Sequence, residues 1–375
     1  MQPLQGIRVL DFSTLLPGPM CTLLLAEAGA NVIKIERPRS GDDMRGYEPK
    51  LGLDSVNFAL LNRGKKSICA DLKNPNDLAA IKSLIKEADI IVEQFRPGVM
   101  TRLGLGFDDI VKINPRIIYC AITGYGQNGP LAKIAAHDLN YQAEAGMLSL
   151  SCDRDGQPTV PPTLTADLAG GAYPAVMNIL LALKQRELDG QARYLDISMA
   201  DNLFTFMYWG LGNGWAANQW PKPGDELVTG GSARYQIYRT ADNQYLAAAP
   251  LEDKFWQTFL DLIGLPELKT ADVMAPVIDI VANKIASEPL AHWLQLLDGH
   301  DVCTNAIKPL SSAPENPHFI ERGVFKNTTS NQHGQTVTAL PVPIDPAFRA
   351  ANIDQRTPAL GEHTEEILGQ HYPGR

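Results

Sequence analysis

Cysteine is scarce in this sequence, and basic residues are in deficit. The five cysteines lie at dispersed positions without CxxC pairs, a pattern typical of reduced core thiols in a cytosolic protein. The 33 lysine and arginine residues are outnumbered by 42 aspartate and glutamate residues, whereas nucleic-acid-binding proteins usually carry a basic excess. We therefore predict a cytoplasmic protein with no nucleic-acid partner.

Long apolar runs and several signature motifs are also missing. The N-terminus shows no charged stretch followed by an apolar run, so we expect no signal peptide. Apolar segments such as 175–183 are too short to cross a bilayer, which predicts no membrane partner. The sequence has no cluster of metal-ligating residues, no P-loop and no GxSxG nucleophile elbow, so no metal site is predicted.

What the sequence does contain is an alternation of strand-like and helix-like segments. Buried-strand patterns at 7–12 and 31–36 flank a helical pattern at 17–27. Strands that alternate with helices at this spacing predict an α/β fold with a parallel sheet and helices on both faces. The pattern continues with strands at 66–72, 89–95 and 116–123, and with a helix at 75–87.

The length of 375 residues is sufficient for two domains. A large α/β domain is predicted for 1–212, followed by a linker rich in Gly, Trp, Pro and Asn at 213–231. A hairpin pattern that turns through 241–243, together with the helices after it, predicts a smaller α+β domain over 232–324. From 325 to 375 the chain returns to short strands and Pro-rich loops.

Basic side chains recur next to the predicted strands. Arg37 and Arg39 follow the second strand, and Arg96 follows a later one. The segment NRGKK, with Arg63, Lys65 and Lys66, precedes the third strand. Open α/β sheets place their binding crevices at the carboxyl ends of strands, and guanidinium groups pair well with phosphates. Each of these residues alone is typical of a solvated surface charge. Their recurrence on an acidic protein indicates a site for an anionic ligand.

A glycine-rich turn follows the strand predicted at 116–123. Gly124, Tyr125 and Gly126 begin GYGQNG, which matches the GxGxxG pattern of dinucleotide sites. The context does not fit, because the segment is not in the first βα turn and Pro130 follows it without an obvious helix. Such a turn would still let a flat or charged ligand approach the backbone closely.

Three further residues have structural interpretations beside functional ones. His137 lies in a loop next to Asp138, where histidine more often serves as a structural hydrogen-bonding residue. Asp167 precedes a long helical pattern and fits an N-cap, although a helix N-terminus also keeps a carboxylate ionised. Glu252 would be a favourable charge in a first helical turn. Composition and spacing alone do not mark these residues as catalytic.

A set of short motifs is spread along essentially the whole chain: GIRVLDF, LLPGP, NRGKKSI, EQFRPGV, TGYGQNGP, DLAGG, YLDISMAD and PALGEHT. In these motifs the sequence resembles the superfamily of family III CoA-transferases and α-methylacyl-CoA racemases, with the racemases as the nearer group. The resemblance implies a Rossmann-like large domain to which both chain ends contribute, a smaller domain, and an interlocked homodimer. It also implies an acyl-CoA substrate and no cofactor beyond the CoA moiety of that substrate.

The resemblance also implies roles for single residues. Asp167 matches an aspartate that is the nucleophile of the transferases and an acid/base group of the racemases. His137 begins the segment HDLNY, which matches the racemase segment with the second acid/base group, and Glu252 matches a glutamate beside that histidine. Ala136 stands where a glycine usually precedes the histidine, which leaves the acyl group of the substrate open. The residues expected to hold CoA are Arg37, Arg63, Lys65, Arg96, Gly124, Tyr125, Gly126 and Asp138.

We therefore predict an epimerase that inverts the α-carbon of a 2-methylacyl-CoA, with His137 and Asp167 acting on opposite faces of that carbon. Histidine as a residue type suits this work, since its reference pKa is about 6.5. Glu252 would orient His137, and backbone N–H groups near Asp138 would stabilise the enolate oxygen. Two alternatives stay open. One is CoA transfer between carboxylic acids through a covalent intermediate on Asp167, and the other is a catalytically idle CoA-binding protein.

Overall fold

The structure is a computed structural model that describes residues 2–153, 156–349 and 355–372. Within these residues the strands are β1 Arg8–Asp11, β2 Asn31–Glu36, β3 Lys50–Leu51, β4 Asp54–Ser55, β5 Lys66–Cys69, β6 Ile90–Glu93, β7 Ile118–Thr123, β8 Arg193–Ser198, β9 Gln236–Arg239, β10 Tyr245–Ala248, β11 Thr304–Ala306, β12 Thr328–Ser330 and β13 Thr336–Thr338. The α-helices are α1 Pro17–Glu27, α2 Val56–Asn62, α3 Pro75–Ile85, α4 Val99–Arg102, α5 Phe107–Ile113, α6 Asp138–Glu144, α7 Tyr173–Asp189, α8 Met199–Leu203, α9 Tyr208–Ala217, α10 Asp253–Ile263, α11 Ala275–Ile285, α12 Leu290–Leu297, α13 Pro317–Glu321 and α14 Thr364–Leu368.

The main sheet has six strands in the order β5-β2-β1-β6-β7-β8, and every neighbouring pair is parallel. The predicted α/β fold with a parallel sheet is thereby confirmed. The chain leaves β1 toward β2 on one side and later returns to β6 on the other, so the strand order reverses between β1 and β6. In such sheets, ligands bind outside the carboxyl ends of the strands at this reversal.

Apolar side chains cover both faces of this sheet. On one face, a core that includes Ile81, Leu84 and Ile110 from α3 and α5 packs against Ile91 and Tyr119 of β6 and β7. On the other face lies α1, which is buried along its whole length. Because both faces are covered, the central strands read as continuous apolar runs, and β7 is buried at all six of its residues.

The chain divides into two compact units. The first contains the chain up to Ala145, Pro162–Phe206, and the chain from His318 onward, so both ends of the chain belong to it. The second contains Gly146–Pro161 and Met207–Pro317. The sequence did not predict the short excursion at 146–161. The predicted linker at 213–231 does not hold for its first residues, since α9 continues to Ala217.

The second unit has its own antiparallel sheet, in the order β11-β10-β9. Its core includes Trp256 and Phe259 of α10, Val281 of α11 and Trp293 of α12, all of them buried. Helices that pack on an antiparallel sheet make this unit α+β in class.

The helical stretch Ala166–Asp189 begins with a π-helical segment, Ala166–Ala172, and continues as α7. By length and composition alone it is long and apolar enough to cross a membrane. It packs against α1, β7 and β8, and a Cβ on Gly170 would lie 2.3 Å from the carbonyl oxygen of Met199 in α8. A π-helical turn is rare and often marks a functional position, and Asp167 lies within this one.

Candidate active site

Two cavities open at the carboxyl edge of the main sheet. The larger one, about 980 Å³, is lined by residues that follow β1, β2 and β5. The smaller one, about 350 Å³, is lined by residues that follow β1, β6, β7 and β8. Phe95, after β6, lines both cavities. An elongated ligand along this edge would therefore meet two adjoining spaces.

His137 and Asp167 line the same smaller cavity. His137 is the N-cap residue of α6, and its backbone N–H donates to Oδ1 of Asn140 at 3.0 Å. The carbonyl oxygen of His137 accepts in turn from the N–H of Asn140 at 2.8 Å. These bonds fix the backbone of His137, while its side chain is exposed. The imidazole is thus available to a ligand.

Asp167 is held at the cavity wall by the backbone of the π-helical segment. Its N–H donates to Oδ1 of Asp138 at 3.0 Å. Burial, reinforced by the negative charge of Asp138, raises the pKa of Asp167 from 3.8 to about 7. A carboxyl group with such a pKa exists in both protonation states near neutral pH, as general acid/base catalysis requires.

The glycine-rich turn forms another wall of this cavity. Gly124 and Tyr125 line it, and a Cβ on Gly124 would lie 2.3 Å from the ring of Tyr141. The hydroxyl of Tyr141 donates to the carbonyl oxygen of Ala136 at 2.8 Å, which ties the residue before His137 to α6. Only glycine leaves room for this close approach of the Tyr141 ring. Gly126 has a φ of +76° and does not line the cavity.

A buried group of four charges lies beneath the first βα turn. Lys34 pairs with Asp42 at 3.0 Å and Lys65 pairs with Asp11 at 3.3 Å, with all four side chains inaccessible to solvent. Burial opposes ionisation, but Lys34 and Lys65 lower the pKa of Asp11 to about 2. Asp42 accepts from the N–H of Leu15 at 3.0 Å, which holds that residue at a φ of +63°. The turn at 13–15, whose residues line both cavities, is therefore held in place by hydrogen bonding to this buried group.

Comparison with known proteins identifies the family. The sequence profile of CoA-transferase family III matches residues 4–364. The chain belongs to this family. Alpha-methylacyl-CoA racemase of Homo sapiens is 34% identical over 378 residues, which cover 97% of this chain and 92% of that protein. Acetyl-CoA:oxalate CoA-transferase of Acetobacter aceti is 33% identical over 339 residues, which cover 86% of this chain and 85% of that protein.

A solved structure agrees with this assignment. The crystal structure of a CAIB/BAIF family protein from Brucella suis superposes with a TM-score of 0.84 at 27% identity, covering 99% of both chains. The predicted superfamily is therefore confirmed, and the protein is a member of an enzyme family. Racemases and CoA-transferases are both among its relatives at similar identity, so family III membership alone does not select the reaction.

The structure corrects the prediction that Arg63 and Lys65 bind CoA. Arg63 is buried, and its guanidinium donates to Oε1 of Glu27 at 2.8 Å and to two backbone carbonyls. Burial lowers the pKa of Arg63, and burial also lowers that of Lys65 to about 8. Lys65 donates to Asp11 and to Thr22, among others. Both cations neutralise internal acids, so neither faces a phosphate.

Arg37 and Arg96 lie where a ligand could reach them. Arg37 is exposed, pairs with Asp43, and lines the larger cavity. Arg96 is exposed and lines the smaller one. The assignment of both residues to CoA binding stays a prediction, now with an accessible position for each.

Arg39, which the sequence placed with Arg37 after the second strand, also lines the larger cavity, together with two cations that the sequence analysis did not indicate, Lys73 and Arg102. Arg39, Lys73 and Arg102 are exposed, and none of their side chains forms an ion pair with a described residue. The rule that found Arg37 applies equally to Lys73, which follows the carboxyl end of β5. Arg102 follows the EQFRPGV motif in the sequence and is the last residue of α4, which lines the larger cavity with Val99 and Arg102.

The remaining predicted residues differ in their settings. Glu252 belongs to the second unit, where it is the N-cap residue of α10, and its proposed contact with His137 stays a prediction. The side chain of Asp138 is buried and engaged with Asp167 and Gln142, so it does not face the cavity. No group of three or more potential metal-ligating residues occurs among the described residues.

Proposed function

We propose that this family III protein inverts the α-carbon of a 2-methylacyl-CoA by proton transfer through an enolate. The observation that carries the proposal is that His137 and Asp167 line one cavity, next to a second cavity lined by cations. Three of these cations, Arg39, Lys73 and Arg102, form no ion pair with a described residue. The first cavity supplies two proton-transfer groups, and the second suits the phosphates of a CoA handle.

The reaction requires that a proton leave one face of the α-carbon and that another arrive on the opposite face. In one direction, neutral His137 removes the proton and protonated Asp167 returns one, and the roles exchange in the other direction. The pKa of about 7 for Asp167 supports this cycle, because both of its forms are populated near neutral pH. Backbone N–H donors at the enolate oxygen would each contribute about 3 kcal/mol. The chemistry uses no cofactor beyond the CoA of the substrate.

The larger cavity supplies the proposed handle site. Arg39, Lys73 and Arg102 would meet the anionic end of CoA, with Arg37 at the same wall. Since Phe95 lines both cavities, the pantetheine arm would pass this residue to bring the thioester to His137. Binding energy gained at the phosphates would then position the reacting carbon.

CoA transfer through Asp167 is the second candidate, and the similarity to CoA-transferases favours it. In that reaction the Asp167 carboxylate attacks the thioester carbonyl, CoA thiolate leaves, and a mixed anhydride forms. Nucleophilic attack needs the ionised carboxylate, whereas burial beside Asp138 favours the protonated form up to about pH 7. His137 would also have no required part in the transfer. For these reasons we place racemisation first.

The deciding experiment incubates the purified protein with one epimer of a 2-methylacyl-CoA in D₂O, without an acid acceptor. Racemisation predicts one deuterium at the α-position, detected by mass spectrometry, together with loss of stereochemical purity. A lack of exchange over several acyl chains, combined with CoA transfer once carboxylic acids are added, would establish the second candidate instead.

Variants of the two acid/base residues provide the control. His137→Ala should lose racemisation by at least about 100-fold, because general acid/base groups contribute about 10²–10⁴-fold. Asp167→Asn should abolish either reaction and serves as the inactive reference. Near-normal turnover of the His137 variant would contradict the racemase mechanism and leave the transferase mechanism standing.

We also propose that the protein forms the homodimer expected from its family. The helix α7 leaves an apolar face in contact with solvent in the isolated chain, and such faces are usually covered by a partner. Its exposed side chains include Met177, Leu180, Leu181 and Leu188. Light scattering on the purified protein should give twice the chain mass. A monomer at micromolar concentration would refute the proposal.

A further inference from the structure

Asp138 connects the two proposed acid/base residues. It directly follows His137 in the chain and is the first residue of α6. Its side chain is only 5% exposed. Oδ1 accepts from the backbone N–H of Asp167 at 3.0 Å, and Oδ2 accepts from the side-chain amide of Gln142 at 2.6 Å. Asp138 is therefore the chain neighbour of His137, and its carboxylate is hydrogen-bonded to the backbone of Asp167.

We propose that Asp138 is a positioning residue for proton transfer: its buried carboxylate accepts from the backbone N–H of Asp167, fixes that backbone relative to His137, and places a negative charge beside the Asp167 side chain. This inference rests on the proposed function for its catalytic meaning.

The asymmetry between the two carboxyl groups supports this role. The carboxylate of Asp138 accepts two hydrogen bonds, one from the Gln142 side-chain amide and one from the Asp167 backbone N–H. The carboxyl group of Asp167 accepts none from the described residues. When two carboxyl groups are close, the one with fewer donors is the one that retains its proton. Burial and then the charge of Asp138 raise the pKa of Asp167 in this sense.

The remaining charges around Asp167 do not reverse this effect. Arg96 is the cation that lines the cavity with Asp167, and the pKa of Asp167 is raised in its presence. The helices α1 and α8, which adjoin the segment of Asp167, bring only uncharged side chains to the cavity. The ionisable side chains that line the cavity with Asp167 are Arg96, Tyr125, His137 and Tyr141.

The test is Asp138→Asn in the full-length protein. Asparagine has the same shape, its oxygen still accepts from the Asp167 N–H, and its amide donates to the Gln142 oxygen once that side-chain amide flips. Only the charge is lost. The titration of Asp167 is followed without substrate, by carboxyl-carbon NMR, and assigned with Asp167→Asn. We expect its midpoint to fall by at least about one pH unit, so that the protonated fraction at pH 7 drops from about one half to about one tenth.

A matched control separates this charge effect from a local disturbance. Asn140→Ala removes the acceptor of the His137 N–H, without a change of charge, in the same segment. It should lower activity but leave the Asp167 midpoint in place. If Asp138→Asn does not fold, Asp138→Ser removes the same charge and is titrated in the same way. An unchanged midpoint in whichever Asp138 variant folds overturns the proposal.

Turnover gives an independent measurement. In Asp138→Asn, the alkaline limb of kcat/KM for the direction that uses protonated Asp167 should move to lower pH by the same amount as the titration. A protein that shows no deuterium exchange at all would refute the racemase function while leaving the titration result valid. A shifted titration with an unshifted kinetic limb would overturn the catalytic part of the inference alone.

Discussion

Replacement of Asp167 by asparagine should change how stability depends on pH. The folded protein raises the pKa of Asp167 from 3.8 to about 7, so its protonated form is the one that the fold favours. The stabilisation is fully present below the unfolded-state pKa of 3.8 and is lost as pH rises through about 7. Asparagine lacks this titration. Relative to wild type, Asp167→Asn should therefore gain stability between pH 4 and pH 8.

The size of this gain follows from the same two values. A pKa that changes from 3.8 to about 7 corresponds to about 4 kcal/mol if the whole shift is expressed in stability. The side chain lines an open cavity, where water screens part of the interaction, so we expect about 2–3 kcal/mol.

The choice of assay matters, because all five tryptophans lie in the second unit. Tryptophan fluorescence would report on the wrong part of the chain. Native-state hydrogen exchange, read on peptides from the π-helical segment and α7, measures the local free energy of opening where Asp167 lies. The exposed Asp201→Asn in the same unit is the control. A difference between Asp167→Asn and wild type that varies by less than about 0.5 kcal/mol from pH 4 to pH 8 would refute the reasoning.

Three other predictions test the surroundings of the site. Arg102→Ala should raise KM for a CoA ester with little change in kcat, and this rise in KM should be smaller for an ester that lacks the 3′-phosphate. An equal rise in KM for both esters would show that Arg102 does not contact the 3′-phosphate. Lys65→Met leaves the buried Asp11 without its ion-pair partner, so urea denaturation should show a free energy of unfolding lower by about 3–5 kcal/mol. The neighbouring surface variant Lys66→Met is the control and should cost about 0–1 kcal/mol. Gly124→Ala should cost about 1–3 kcal/mol, since its Cβ meets the Tyr141 ring, and a cost that persists in a Tyr141→Ala background would disprove this cause.

The periodicity of the sequence is sufficient to predict the main sheet. The predicted helix at 17–27 and strand at 31–36 have the same bounds as α1 and β2. Apolar runs of strand length that alternate with amphipathic segments have few arrangements other than a parallel sheet, because each strand must return by a crossover. The division into two units was harder to predict from the sequence. The short segment 146–161 belongs to the second unit because of contacts with residues that are remote in sequence.

The candidate site was only partly predictable for the same reason. The motifs marked His137 and Asp167, and both line one cavity. Nothing in NRGKK indicates that Lys65 is buried against Asp11 while its neighbour Lys66 reaches Glu366 at the surface. Adjacent residues in an extended segment point to opposite sides, so the sheet and its partners decide which charge faces a ligand.

The sequence by itself therefore determined the succession of strands and helices along the chain, the family, and the residue types that the chemistry needs. Tertiary structure alone decided which charged side chains a ligand can reach and in which direction the pKa values of Asp11 and Asp167 shift. Hydrophobic periodicity is a local property, and the chain carries it along its length. Burial and electrostatic coupling depend on distances between residues far apart in sequence, as the contact of Asp138 with Asp167 shows.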